Sequence, residues 1–477
     1  MYRINKFLLC AAAAVALPAQ TFNAFQSFNN TDGANPFPAL VQATNGGLYG
    51  TTYGGGANLS GAIFKVTPAG ALTTVYSFCS QTNCTDGSLP RGGLIQDSNG
   101  NLYGTTLGGG ANNRGTIFKI TTAGVLTTLY SFCNLAGCAD GAQPFAGLVQ
   151  ASNGSLYGTT IGGGNGFGTI FQISAAGAFT SLYSFCADSQ SGCPDGASPA
   201  AALIQASNGD FYGTTEDGGA NSNPGCGGYN CGTVFKFAGD TLTTLYSFCA
   251  KSGCADGYDP TDALVLASNG DFYGTTFEGG ANNNNNGTVF QITPSGKLKT
   301  LVSFCAGGNC TNGQGPVAGL IQATDGNLYG TTTSGGIGYG TIYDITLSGT
   351  LTTLFSLNDP DGAEPYGGLV QATNGTFYGT TFIDGMYGYG TVYSLSTGLG
   401  AFVETLPTSG KVGAAVKILG TDLTGATSVT FNGVAATFKV ASSSEITTTV
   451  PSGATTGTVK VVTPSGTFSS NVTFRVP

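Results

Sequence analysis

Seven copies of the motif Tyr-Gly-Thr-Thr divide most of this 477-residue chain into repeats. A motif that recurs at a period of about 50 residues is typical of a solenoid, a propeller or another array of stacked units. Because one such unit cannot bury its apolar face alone, the fold must arise by packing neighbouring copies together. The motif begins at Tyr49, Tyr103, Tyr157, Tyr212, Tyr273, Tyr329 and Tyr378, with spacings of 54, 54, 55, 61, 56 and 49 residues.

Each repeat contains four short apolar runs, which predict four β-strands. In the second copy these runs are Gly93–Gln96, Leu102–Thr106, Gly115–Ile120 and Leu126–Phe132. They are rich in β-branched and aromatic residues, and Asn99-Gly100 predicts a type I′ hairpin turn between the first two. Four antiparallel strands joined by hairpins are the pattern of a propeller blade. A β-solenoid is the alternative, but its coils are usually shorter and parallel.

The two ends of the array favour a closed propeller. Phe22–Phe28 is a copy of the fourth strand and precedes the first repeat, whereas the seventh repeat ends after its third strand, Gly390–Leu395. If the N-terminal strand completes the seventh blade, both facts are explained and no sheet edge stays exposed. The predicted fold is therefore all-β, with a seven-bladed β-propeller of four-stranded blades over residues 21–400 and a further domain after it.

Two family resemblances refine this prediction. The motifs N-G-x-L-Y-G-T-T, G-T-I-F-K-I and L-T-T-L-Y-S-F, spread over residues 22–397, resemble those of the Gloeo/Verruco (GloVer) tandem-repeat proteins of bacteria. That family implies no established biochemical activity. Residues 401–477 resemble an IPT/TIG domain through Leu406–Gly410, Val416–Gly420, Ser428–Gly433 and Ile446–Pro451. This second resemblance implies a small immunoglobulin-like β-sandwich, a module that usually serves exported bacterial proteins as a spacer or an interaction domain.

The N-terminal residues and the cysteines predict an exported protein. Residues 1–20 read as a signal peptide, with Arg3 and Lys6 before an apolar run that is too short to span a membrane as a helix. Apart from Cys10, which lies in that run, the 13 cysteines fall into local pairs. We expect disulfides in an oxidising compartment, since a thiolate metal site usually needs four ligands, often with His. The predicted pairs are Cys79 with Cys84, Cys133 with Cys138, Cys186 with Cys193, Cys226 with Cys231, Cys249 with Cys254, and Cys305 with Cys310.

The composition excludes several kinds of function. The chain has no His, so a Ser-His-Asp triad, a Cys-His pair and a His metal site are all excluded. Charged residues are 8% of the chain and its 15 Lys and Arg are spread thinly, which leaves no basic stripe for nucleic acid. No second apolar run is long enough for a transmembrane helix. We expect a monomer without a cofactor, secreted or held in the periplasm or at the bacterial cell surface.

An acidic or amide residue recurs just after the fourth strand and is always followed by Gly. One interpretation is an Asx-type turn that starts the next repeat. The other is a ring of carboxylates near the channel mouth that binds polar ligands or Ca²⁺. Glycoside cleavage would need two of these carboxylates at a defined separation, which the sequence does not show. The positions are Asp32, Asp86, Asp140, Asp195, Asp256, Asn312 and Asp361.

Three classes of function remain, and we favour the first. The first is a non-catalytic protein that binds an extracellular ligand, such as a polysaccharide or a surface protein. The second is a polysaccharide-active enzyme that uses the ring carboxylates, and the third is a purely structural envelope protein. Successive antiparallel strands place the Asn-Gly turns on one rim, here called the turn rim, and the longer connections on the opposite loop rim. We predict that the ligand contacts the loop rim, which bears the variable loops Asp217–Tyr229 and Asn282–Asn286.

Overall fold

The computed structural model describes residues 20–187, 192–226, 230–281 and 285–477. The predicted signal peptide, residues 1–20, lies outside this part except for Gln20. In the described part of the chain, none of the helices has the length and apolar character needed to cross a lipid bilayer. The 3₁₀ turns are short, at Thr82–Cys84, Ala136–Cys138, Ser252–Cys254, Cys310–Asn312 and Asp359–Asp361.

The seven repeats form antiparallel sheets of four successive strands, which confirms an all-β, propeller-like fold built from repeated four-stranded units. The first strands are Val41–Gln42, Ile95–Gln96, Val149–Gln150, Ile204–Gln205, Val265–Leu266, Ile321–Gln322 and Val370–Gln371. The second strands are Leu48–Gly54, Leu102–Thr106, Leu156–Thr160, Phe211–Thr215, Phe272–Thr276, Leu328–Thr332 and Phe377–Thr381. The third strands are Ala62–Val66, Thr116–Ile120, Thr169–Ile173, Thr233–Ala238, Thr288–Ile292, Thr341–Ile345 and Thr391–Ser396. The fourth strands are Leu72–Ser77, Leu126–Ser131, Phe179–Ser184, Thr241–Ser247, Leu298–Ser303 and Leu351–Ser356, with Thr21–Ser27 in the seventh sheet. An additional short strand, Ala34–Pro36, pairs with the second strand of the first sheet.

The cores of the propeller-like part lie between neighbouring sheets. The Tyr-Gly-Thr-Thr segment is buried throughout, because both faces of the second strand are covered. Tyr49 of the first repeat packs in one cluster with Leu102 and Phe118 of the second, and the other clusters join neighbouring repeats in the same way. Each repeat therefore depends on the next for its core, as expected of a repeat array.

The N-terminal strand closes the array, as the sequence predicts. Thr21–Ser27 pairs antiparallel with Thr391–Ser396, the third strand of the seventh repeat. A second link is the 2.8 Å hydrogen bond from the Thr373 N–H to the Gln42 Oε1, which joins the seventh repeat to the first. The same glutamine position accepts an N–H from the preceding repeat at Gln96, Gln205, Gln322 and Gln371.

The hairpin turns differ from the predicted type. A type I′ turn needs positive φ at both central residues, but only Gly100 of the Asn99-Gly100 pair has one, at 87°. The Gly100 N–H bonds the carbonyl of Asp97, and the Asp97 N–H bonds the carbonyl of Asn101. This arrangement is a type I turn followed by a glycine bulge. The Asn-Gly dipeptide marked the hairpin correctly, since both turn types place Gly where φ is positive.

Residues after 401 form two further four-stranded sheets that enclose a common apolar core. Buried residues alternate with exposed ones along these strands, as in Val459 and Val461 against Lys460 and Val462. One sheet comprises Glu404–Leu406, Ala415–Leu419, Glu445–Thr449 and Phe438–Val440. The other comprises Val434–Ala435, Ser428–Phe431, Val459–Thr463 and Gly466–Ser469.

Candidate functional site

The recurrent aspartates are bound within their own turns. Asp86 is fully buried and accepts hydrogen bonds from the Tyr76 hydroxyl at 2.8 Å and from the N–H groups of Ser80 and Gln81 at 2.9 and 3.2 Å. Burial first, and then the Asp86 contact, raises the pKa of Tyr76 to about 12. Asp140, Asp195 and Asp256 accept the corresponding tyrosine hydroxyl and backbone N–H groups.

The remaining members of this set make similar but weaker local contacts. Asp32 accepts the Asn29 N–H at 2.9 Å, and Asp361 accepts the Asn358 N–H at 3.3 Å. The backbone carbonyl of Asn312 accepts the Thr341 hydroxyl at 3.4 Å. The bonds of Asp32 and Asp361 are the geometry expected of a turn, whereas the Asn312 bond reaches the third strand of its repeat. The function of the set as a ligand or Ca²⁺ ring stays a prediction.

All six predicted cysteine pairs form disulfides, which fits an extracellular or periplasmic protein. Five of them follow the fourth strands, and in four of these loops an aspartate accepts the capping hydrogen bonds. The sixth, Cys226–Cys231, lies in the long loop of the fourth repeat, and its sulfurs and the Cys249 sulfur all lie within 4.8 Å of one another. The five that follow fourth strands are Cys79–Cys84, Cys133–Cys138, Cys186–Cys193, Cys249–Cys254 and Cys305–Cys310.

The disulfide between Cys186 and Cys193 differs from the others in the loop that it closes. Its cysteines are 7 residues apart in sequence, whereas those of the other five pairs are 5 apart. Residues 188–191 of this loop lie outside the described residues. Cys193 itself is fully buried and packs with Cys186 and Ala197, and the Cys186 N–H donates to Asp195 at 3.0 Å. The longer loop therefore keeps both the disulfide and the aspartate cap.

The two variable loops predicted to bind ligand are only partly described. Within Asp217–Tyr229, residues 227–229 lie outside the described residues, and within Asn282–Asn286 residues 282–284 do. Ligand contact by these two loops therefore stays a prediction, and the site is built here from the described residues of the channel.

The first strands line a central channel. Two cavities share Ile95 and Leu148 of the second and third repeats, so they lie next to each other along the channel. The cavity at the loop rim, here called the mouth cavity, has a volume of about 460 Å³, a size typical of small-molecule sites. The cavity at the turn rim, of about 960 Å³, is also lined by residues 406–409, residues 471–473 and Arg475 of the C-terminal part.

The C-terminal part contacts the turn rim in several repeats. The Ser444 hydroxyl donates to the Thr44 carbonyl at 2.8 Å, and the Phe402 N–H donates to the Thr373 carbonyl at 2.9 Å. Arg475 donates to the carbonyl of Ser207 in the fourth repeat. The turn rim is therefore partly covered, whereas the mouth cavity is lined by repeat residues only.

The repeats lose their similarity at the mouth cavity. In each repeat a Pro follows the recurrent Asp-Gly or Asn-Gly, and the residue after that Pro faces the cavity. Bulky residues occupy this position at the start of repeats seven, one, two and three, which are neighbours in the closed array. Smaller residues occupy it at the start of repeats four, five and six. The position is held by Phe37, Arg91, Phe145, Ala200, Thr261, Val317 and Tyr366.

One side of the mouth cavity is an aromatic cluster around a cation. The Arg91 guanidinium lies 4.0 Å from the ring centre of Phe37 and 3.6 Å from that of Phe145. Phe37 in turn stacks on Tyr366, with ring centres 5.1 Å apart. Burial lowers the pKa of Arg91 to about 10, so the side chain keeps its charge at neutral pH. Arg91 forms no ion pair with any described residue, and its buried Nε has no hydrogen-bond partner there.

The other side of the mouth cavity is acidic. Glu216, Asp259 and Asp262 line it, and Asp217 and Glu278 are close enough to act on Asp259. Burial, followed by repulsion from Glu216, Glu278 and Asp217, raises the pKa of Asp259 to about 8. Burial also raises the pKa of Glu216 and of Asp217, and Asp217 adds repulsion on Glu216. Within the described residues, none of these carboxylates forms an ion pair.

Two of the acidic residues differ in how they are held. Asp262 is fixed by the N–H groups of Ala263 and Gly319, both at 2.6 Å. Asp259 has a positive φ of 61° and a buried Oδ1 that lacks a hydrogen-bond partner in the described chain. Such an unpaired buried oxygen is costly unless a ligand or a proton compensates it.

Sequence reasoning missed this site because it looked for residues that recur. Glu216 occupies the position after Tyr-Gly-Thr-Thr, where the other repeats carry Tyr53, Leu107, Ile161, Phe277, Thr333 and Phe382. Arg91 likewise stands alone at its repeat position. An alignment of the seven repeats with one another would have exposed both as departures from the pattern.

The fold and the channel place this chain among propeller-like repeat proteins. One end of its channel holds a cavity of the size of a small-molecule site. The sequence matches the model of the Gloeobacter/Verrucomicrobia repeat over residues 14–226 and 223–446, and the chain belongs to this family. The curated proteins contain no match to it.

Three solved structures illustrate its similarity to other proteins. The gluconolactonase XC5397 from Xanthomonas campestris has 12% identity and a TM-score of 0.39 over 81% of this chain and 92% of its own. A putative 6-phosphogluconolactonase from Bacteroides uniformis has 15% identity and a TM-score of 0.42 over 67% and 84%. A puromycin hydrolase has 11% identity and a TM-score of 0.48 over 83% and 61%. With TM-scores below 0.5, these similarities carry no weight for the activity of this chain.

Proposed function

We propose that this chain is an exported, non-catalytic protein that binds a saccharide of the cell envelope or its surroundings in the mouth cavity. The observation that carries the proposal is the loss of repeat similarity at this cavity, where near-identical units place Arg91, Glu216 and Asp259. Symmetry within a propeller serves packing, whereas a departure from it at a cavity needs another reason. Binding sites on rigid folds usually lie in the loops at one end, which vary while the scaffold stays the same.

The chemistry of the cavity suits a saccharide. Tyr366 lines the cavity beside the cluster of Arg91, Phe37 and Phe145, and carboxylates on the opposite side accept hydroxyl hydrogen bonds. A volume of about 460 Å³ admits a small ligand rather than a protein segment. Apolar lining with a few well-placed polar groups is the usual composition of such a site.

The remaining parts of the chain have supporting roles in this proposal. Residues 1–20 act as a signal peptide for export, where the disulfides form. Residues 21–400 are a seven-bladed β-propeller, and residues 401–477 are an IPT/TIG domain with an immunoglobulin-like sandwich that covers the turn rim. The ligand therefore enters from the loop rim.

A glycan array tests the proposal. The binding of the variant Tyr366→Ala is compared with that of a matched control variant. Tyr366 lines the mouth cavity, whereas Tyr387, in the same repeat, is 54% exposed on a loop. We expect Tyr366→Ala to lose most of the binding and Tyr387→Ala to keep it. If both variants still sediment with the cell envelope and neither they nor the wild-type chain bind a glycan, a purely structural envelope protein is favoured instead.

The polysaccharide-active enzyme is the second candidate, and one observation favours it. Asp259, with a pKa of about 8, holds a proton at neutral pH close to Glu216, and an acid beside a carboxylate is the pairing that glycoside cleavage uses. These residues are not the recurrent aspartates that the sequence singled out. Release of reducing sugar by the purified protein, lost in Asp259→Asn, would establish the enzyme over the binding protein.

A further inference from the structure

The mouth cavity is electrically divided, and this division bears on the class of saccharide that it binds. Arg91 and the aromatic rings lie on one side of the cavity, while Glu216, Asp259 and Asp262 lie on the other. Arg91 and Glu216 are close enough to shift each other's pKa, yet they form no ion pair. A gap between opposite charges in a cavity leaves room for a ligand that pairs with both.

The Arg91 side accepts an anionic group. The guanidinium carbon of Arg91 lies over the rings of Phe37 and Phe145 at 4.0 and 3.6 Å, and these contacts restrain the side chain. The hydrogen-bond donors of a guanidinium lie at its edge, where two N–H groups match the two oxygens of a carboxylate. Because no described carboxylate occupies that edge, the stacked arginine is preorganised for one on a ligand.

The acidic side accepts a cation. Glu216 and Asp259 line the cavity, with Asp217 and Glu278 near them, and no described Lys or Arg forms an ion pair with any of the four. The Oδ1 of Asp259 is buried and has no hydrogen-bond partner in the described chain. An ammonium group placed here would offer three donors and relieve the repulsion among the carboxylates.

We propose that the ligand is a zwitterionic amino sugar, a saccharide that carries both a carboxylate and an unacylated amine. The carboxylate lies against the edge of Arg91, and the ammonium lies against Glu216 and Asp259. A neutral sugar would desolvate the charges of Arg91 and Glu216 without pairing them, which is unfavourable. This inference rests on the proposed function and deepens it by naming the ligand class.

Four monosaccharides that differ mainly in charge test the proposal: glucose, glucuronic acid, glucosamine and muramic acid. Muramic acid carries both charges, so calorimetric titration of the whole protein should give it the tightest binding. Each charge is expected to contribute about tenfold, the strength of one charge-assisted hydrogen bond. N-acetylmuramic acid, which lacks the ammonium, should bind about tenfold more weakly than muramic acid.

Variants assign each charge to its residue. Arg91→Gln should abolish the preference for muramic acid over glucosamine, and Glu216→Gln should reduce its preference over glucuronic acid. The controls are Arg114→Gln, an exposed arginine in the loop of the same repeat, and Asp240→Asn, an exposed turn residue. Both controls should leave all four affinities unchanged.

The outcomes separate this inference from the function on which it rests. Equal binding of all four sugars, lost in Tyr366→Ala, would overturn the zwitterionic ligand and leave a saccharide site in place. Binding of none of the four would overturn both. A muramic acid preference that survives Arg91→Gln and Glu216→Gln would place the ligand elsewhere and also overturn the inference.

Discussion

Replacing Asp259 by Asn should stabilise the protein at neutral pH. The side chain is partly buried near Glu216, Asp217 and Glu278, and burial and repulsion raise its pKa from 3.8 to about 8. Asn removes the charge and keeps the shape, and it tolerates the positive φ of 61° at this position. The acidic cluster would then contain one ionisable group fewer.

The sign follows from the two pKa values. Below about pH 4 the carboxyl is protonated in both the folded and the unfolded chain and contributes nothing. Between about pH 4 and pH 8 the unfolded chain releases the proton and the folded chain retains it, so stability falls as pH rises. At about 1.4 kcal/mol per pH unit, the full cost is about 4 kcal/mol at pH 7 and about 2 kcal/mol at pH 5. Solvent reaches part of the side chain and screens the repulsion, so we expect about 3 and about 1 kcal/mol.

Thermal unfolding between pH 3.5 and pH 8 measures this effect. The midpoint of Asp259→Asn should exceed that of the wild-type chain by several degrees at pH 7, and the difference should vanish at pH 3.5. Asp240→Asn is a matched control, because Asp240 also has a positive φ, 60°, but is exposed. If the two variants shift the midpoint equally, or if the Asp259→Asn difference is independent of pH, the electrostatic account of the cluster is wrong.

Three further predictions concern the scaffold. Deleting Thr21–Phe28 removes the partner of Thr391–Ser396 and exposes a sheet edge, so the variant should melt earlier and self-associate in light scattering; a stable monomer would contradict closure. Alkylation without reduction, followed by mass spectrometry, should find no free thiol in the exported chain, and several modified cysteines would refute the six disulfides. Gln42→Leu removes the acceptor of the Thr373 N–H and should cost about 1 kcal/mol in urea denaturation; an unchanged midpoint would show that this closing contact is not needed.

The scaffold was predictable because the residues that form its strands, core and disulfides recur from repeat to repeat. Tyr49 and its six counterparts recur at one strand position, as packing residues do, and the structure buries them between sheets. The spare strand at Phe22–Phe28 indicated closure, and the pairing with the seventh repeat follows. The cysteine pairing was predictable as well, even for Cys186 and Cys193 with their wider spacing. The turn type at Asn99-Gly100 was wrong, since Asn-Gly suits both a type I′ turn and a type I turn with a glycine bulge.

The mouth cavity was not predictable from the same pattern. Arg91 and Glu216 belong to different repeats and face the same cavity only because the array curves around a channel, which no local spacing reveals. The recurrent aspartates drew attention instead, and four of them bond their own turns and adjacent tyrosines, as Asp86 does with Tyr76. The recurring residues stabilise the fold. The charged residues of the mouth cavity, Arg91 and Glu216, are instead recognised because they differ from their counterparts in the other repeats.

A crystal structure of the protein soaked with muramic acid tests the central claim most directly. The two ends of the channel are distinct, since the mouth cavity is lined by repeat residues and the opposite cavity also by residues 406–409, residues 471–473 and Arg475. We predict density for the sugar in the mouth cavity, with its carboxylate at the edge of Arg91 and its amine at Glu216 and Asp259. Density found only at the turn rim, beneath the C-terminal part, would contradict the account.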